Sequence, residues 1–113
     1  MSLDIYLITE KCPHCGRSGE GYSANITHNL CDMADALGIY EFLWHPERAG
    51  IKTAGQLIAP LKQAICLMKD APAKYKAFDA SNGWGTYKDF LPWLERLLEA
   101  CEQSPDAGVE ASR

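Results

Sequence analysis

The apolar residues of this chain change period part-way along, and that change predicts its elements. Residues 3–9, LDIYLIT, are dense in Leu, Ile, Tyr and Thr and read as a strand. Gly16, Gly19 and Gly21 then keep residues 16–21 from forming a helix, and Tyr22 to Ile26 reads as the returning strand. The first 26 residues are thus expected to form a hairpin with Cys-Pro-His-Cys-Gly at its tip. From Leu30 the spacing becomes three and four: Leu30, Met33, Ala34 and Leu37 share one helical face. Thr27 or Asn29 is placed to cap that helix, and Gly38 to stop it in the left-handed conformation. The run IYEFLW packs Ile39, Phe42 and Leu43 or Trp44 in a short turn that His45-Pro46 ends.

Thr53-x-x-Gln56 has the form of a capping box, and the helix behind it lines up Leu57, Leu61, Ala64, Ile65 and Met68. Pro60 is expected to kink that helix or split off its first turns. Asp70-Ala-Pro72 closes it and starts a short turn through Tyr75 and Phe78. Asn82-Gly83 marks a turn and Thr86-x-x-Asp89 another cap. The last helix, interrupted by Pro92, buries Phe90, Leu94, Leu97, Leu98 and Cys101. The ending AGVEASR alternates weakly and either adds a strand to the hairpin or frays. The expected fold is α+β: a small antiparallel hairpin, with or without a C-terminal strand, packed on about three main helices. Residues 1–104 form one domain and 105–113 a tail or short strand.

Composition sharpens this picture a little. A chain of 113 residues with 47% apolar and 23% charged residues closes a single core. The net charge of −4, with Lys and Arg scattered, counts against non-specific nucleic-acid binding. No apolar run approaches the roughly 20 residues that span a bilayer, and MSLDIYLITEK does not have the pattern of a signal peptide. The five cysteines are odd in number and three gather near one end, unlike a secreted disulfide framework. A cytoplasmic protein is expected, with the Asn25-Ile-Thr27 sequon unused.

The candidate chemistry begins with Cys12-x2-Cys15 and, twelve residues on, His28-x2-Cys31. Zinc takes four such ligands in a tetrahedron, and a Cys3His set leaves no position for water, so the site would be structural. In the alternative, Cys31 is a packing residue, His28 serves elsewhere and Cys12 and Cys15 are free thiols; His14 is a further possible ligand. Cys-Pro-His-Cys after a strand also matches the thioredoxin-type redox motif, but three glycines stand where that motif opens a helix. Cys66 and Cys101 read as packing residues.

A second, polar cluster is Asn25, Thr27, His28 and Asn29 at a strand-to-helix junction, where free N–H groups can hold an anion. Its plain reading is a set of caps and turn formers. The two hypotheses compete for His28, since a ring nitrogen bound to zinc is not a free base. Asn82-Gly-Trp-Gly85 either presents Trp84 to a ligand or plugs the core with it. Trp44 and Trp93 read as core. No nucleophile elbow, phosphate loop, dinucleotide fingerprint or zincin motif is found.

Tyr22-x-Ala-Asn25-Ile-Thr-His28-Asn29-Leu30, Ala36-Leu-Gly-Ile-Tyr40, Leu43-Trp44 and Asn82-Gly-Trp-Gly-Thr-Tyr87 together resemble a group of small uncharacterised bacterial and phage or prophage proteins. The resemblance runs from about residue 20 to Ser112-Arg113. It implies an origin, and it implies that the Asn/Thr/His and Asn-Gly-Trp-Gly signatures are the steadier features, with Asn25 and His28 forming a site near Trp84. The expected function is a non-catalytic, zinc-stabilised binding protein acting on a protein partner. A small enzyme or ligand-binding protein using Asn25, Thr27, His28, Asn29 and Trp84 is the competing expectation.

Overall fold

The computed structural model describes residues 2–11, 18–79 and 85–112, and within the hairpin the side chains of residues 3–8 and 22–27. It is an α+β fold. The strands are β1 (Ser2–Lys11), β2 (Ser18–Thr27) and β3 (Gly108–Ser112). A 3-10 turn, His28–Leu30, leads into α1 (Cys31–Ala36), followed by α2 (Tyr40–Trp44), α3 (Gly55–Asp70), α4 (Pro72–Lys76) and α5 (Tyr87–Gln103). The sheet is antiparallel with order β2-β1-β3, so the C-terminal residues do add a strand. No helix among the described residues is long and apolar enough to cross a membrane.

The strand period of two places Leu3, Ile5 and Leu7 on one face of β1, all fully buried, while Asp4, Tyr6 and Ile8 are half-buried on the other. The helices cover the apolar face. α3 contributes Leu57, Leu61, Ala64, Ile65 and Met68, the face expected from the sequence. α5 contributes Phe90, Trp93, Leu94, Leu97 and Cys101; Trp93 is core as expected, and Leu98 is only partly buried. Each fully buried Leu or Ile stabilises the fold by roughly 2 kcal/mol relative to exposure.

Local signals hold with instructive changes. Gly38 follows α1 with φ +75, the left-handed stop. Thr27 Oγ1 accepts from the Asn29 N–H at 3.2 Å and caps the 3-10 turn. Gln56 does reach back as in a capping box: its Oε1 accepts from the N–H groups of Thr53 at 3.1 Å and Lys52 at 2.6 Å. The helix starts one residue later than a Thr53 cap predicts, because Thr53 pairs with Gly108 at the start of β3. Neither proline splits its helix: α3 runs through Pro60 and α5 through Pro92. Both lie in the second turn, and α3 and α5 pack against each other, so tertiary contact outweighs the lost N–H. Thr86 donates its hydroxyl to Asp89 at 3.1 Å, while the Tyr87 N–H is held by Asp79 Oδ1 at 2.7 Å.

Two side-chain donors from α5 tie the layers together. Tyr87 donates its hydroxyl to the Met68 carbonyl at 2.7 Å, locking the start of α5 to the end of α3. Trp93 Nε1 donates to the Asn25 carbonyl at 3.0 Å, capping the outer edge of β2. Tyr87→Phe removes one buried hydrogen bond and is expected to cost about 1 kcal/mol, read as a lower urea midpoint with unchanged slope.

Burial and the neighbouring Glu102 push the Cys101 thiol up to about 12. A thiol raised in the folded state favours folding below its unfolded pKa, and that advantage is lost as pH rises from about 9 toward 12. A thiol reagent at pH 8 is expected to label the exposed Cys66 and to spare Cys101 until the chain unfolds. Equal labelling of both in the native protein would show that α5 is not packed this way.

Candidate functional site: the junction of β2 and α1

The polar cluster sits where β2 ends. The Asn25 side chain is exposed and faces Asp4, its cross-strand partner; Nδ2 donates to Asp4 Oδ1 at 2.7 Å. With its carbonyl taken by Trp93, Asn25 is built into the sheet. Thr27 is the cap described above. Asn29 is exposed. His28 is half-buried, and its ring lies 6.2 Å from that of Trp44, tilted by 59°. Its Nε2 is buried and has no hydrogen-bond partner among the described residues. A buried imidazole nitrogen without a partner costs free energy.

The second motif comes to the same place. Gly85 has φ +103, and a Cβ built on it would stand 2.9 Å from Thr27 Cγ2, 3.0 Å from Asn29 Cβ and 3.3 Å from Leu30 Cγ. The end of the Asn-Gly-Trp-Gly run is therefore pressed against the Thr-His-Asn-Leu run, although the two are more than fifty residues apart in sequence. Trp84 itself lies outside the described residues, as do Asn82 and Gly83.

The metal hypothesis divides differently. Cys12 and Cys15, with His14, lie outside the described residues. Their described neighbours Lys11 and Ser18 pair with each other at one end of the hairpin, and Ser2 pairs with Thr27 at the other. Nine residues of strand separate the two ends, on the order of 30 Å at about 3.3 Å per residue. His28 and Cys31 follow Thr27, so this register does not bring them toward the hairpin end that carries the other two cysteines. No group of three potential metal ligands is found among the described residues. Burial is the main cause that pushes the Cys31 thiol up, with Asp32 adding to it and the Cys31 backbone N–H opposing.

Sequence reasoning missed a neighbouring set altogether. Tyr40 stacks on Trp44 with centroids 5.4 Å apart and meets His45 edge-on at 5.6 Å. Trp44 thus connects His28 to a polar surface containing Tyr40 and His45. The available signal was the charged run His45-Pro-Glu-Arg48 directly after Trp44, which reads in sequence only as a helix stop. Comparison with protein-family models, curated proteins and solved structures finds no match to this chain.

Gly85→Ala tests the close approach of the two motifs. Strain at positive φ and the close contacts of the added Cβ, at 2.9 to 3.3 Å, are together expected to cost about 2–4 kcal/mol in urea unfolding. A change under about 0.5 kcal/mol would mean the two motifs are not in contact.

Proposed function

We propose that this chain is a small non-catalytic binding protein of phage or prophage type, which engages a protein partner at the junction of β2 and α1. The observation that supports it is the convergence of the two sequence motifs: Gly85 packs on Thr27 and Asn29, with Asn29 exposed beside the half-buried His28. With no side chain of its own, the buried Gly85 lets the Thr27, Asn29 and Leu30 side chains close over it, and Asn29 is left at the surface where it can meet a partner's polar groups. The likeness of both motifs to small bacterial and phage proteins points the same way.

The hairpin register counts against a zinc ion held by Cys12, Cys15, His28 and Cys31 of one chain, because the two described ends of the hairpin stand far apart. The tip cysteines remain candidates for metal or redox chemistry of their own. A second reading, a small-ligand site on Asn25, Thr27, His28, Asn29 and Trp84, draws on the unpartnered His28 Nε2.

Pull-down from bacterial lysate with the untagged surface intact is expected to capture a protein that Asn29→Arg releases, with the melting temperature unchanged because Asn29 is exposed. Capture that survives Asn29→Arg would sink the docking site. His28→Ala is expected to leave the zinc-to-protein ratio of the purified chain as it was. A fall from about one zinc per chain, together with a loss of stability, would restore the four-ligand cage.

A further inference from the structure

Beyond the junction, the end of α1, α2 and the loop after it enclose an open cleft of about 370 Å³ lined by Asp35, Gly38, Tyr40, Glu41, His45 and Arg48. None of the junction residues lines it. The volume lies within the range of small-molecule sites, roughly 300–1,000 Å³. The cleft has a firm aromatic wall, since Tyr40 stacks at 21° on the fully buried Trp44. At Gly38, which lines the cleft, an added Cβ would meet nothing within 4 Å, so the space beside it is open.

The polar groups are of two kinds. The Tyr40 hydroxyl and His45 Nε2 are 3.3 Å apart and share one hydrogen, while Glu47 Oε1 stands 3.8 Å from His45 Nδ1. Around them are two exposed carboxylates, Asp35 and Glu41, and one exposed guanidinium, Arg48. Opposite charges on one cleft would ordinarily pair, yet among the described residues Asp35, Glu41 and Arg48 form no ion pair. They line the same space while standing too far apart to satisfy each other. A simple anion placed there would meet Arg48 but also two carboxylates, and a simple cation would meet the guanidinium. A ligand carrying both charges satisfies both walls.

We propose that this cleft is a binding site for a small zwitterion bearing an ammonium group and a carboxylate. The ammonium lies toward Asp35 and Glu41, the carboxylate toward Arg48, and the aliphatic part lies along the Tyr40 ring. The Tyr40–His45 pair supplies a donor or acceptor to the carboxylate end.

The test uses the full chain and 6-aminohexanoate as probe, followed by amide chemical shifts in NMR. Hexanoate and hexylammonium are the matched compounds with one charge each. Saturable shifts confined to residues around Asp35, Tyr40, Glu41, His45 and Arg48 are expected. Each single-charge analogue, and each of the variants Glu41→Gln and Arg48→Gln, is expected to bind about two- to fivefold more weakly than the parent pair. Both substitutions are at exposed positions, so the variants fold. Equal affinity for all three compounds, unchanged binding by the variants, shifts centred elsewhere or no saturation would each overturn the assignment.

Discussion

The structure depends on a single central strand. β1 is paired on both sides, by β2 along its whole length and by β3 over Asp4 to Ile8, and its alternate residues Leu3, Ile5 and Leu7 are fully buried. Because side chains alternate with a period of two, a slip of one residue would turn that apolar set outward, so burial fixes the register. Everything else is hung from it. β3 positions Gly108 against Thr53, the Ala54 N–H donates to the Ala107 carbonyl at 2.8 Å, and the Gly55 N–H donates to the Pro105 carbonyl at 2.8 Å. The entry to α3 and the exit from α5 are thereby fastened to one point, which sets the two helices over the buried face.

The same register governs which candidate ligands are neighbours. A gap of twelve residues between two metal-binding pairs is compatible with a cage when the gap is a loop or a compact finger. Here much of it is the outgoing run of β2, antiparallel to β1, and a returning strand brings its far end back to the start of the hairpin. Thr27 consequently faces Ser2 and not the residues around Lys11. Ligand spacing carries no information about which strand the spacer occupies.

The helices were legible to the extent that their apolar faces determine them. Leu57 to Met68 on α3 and Phe90 to Leu97 on α5 are buried as their spacing requires. What was not legible was every feature set by a residue far away in sequence. Thr53 reads as a cap and is used as a bridge because β3 arrives there; Pro60 and Pro92 read as breaks and are carried through because α3 and α5 support each other. Trp93 reads as core, which it is, but its role in closing the β2 edge through the Asn25 carbonyl requires a partner 68 residues away. Of the candidate site, the polar junction residues were visible as types, and Gly85 was visible as a glycine. Their contact was not, since nothing in either motif encodes the other.

The aromatic residues explain how two polar surfaces coexist on so small a domain. His28, Trp44, Tyr40 and His45 form a row with successive centroids 6.2, 5.4 and 5.6 Å apart, all within the range of favourable ring contact. Trp44 is the fully buried member, and His28, Tyr40 and His45 are half-buried around it. A packed row of this kind holds His28 and His45 at fixed positions relative to each other. It does not by itself transmit a signal, because coupling requires an element with two discrete arrangements and a well-packed indole has one. The row is therefore a rigid support beneath the two proposed surfaces, one at the junction and one at the cleft, and not a switch linking them.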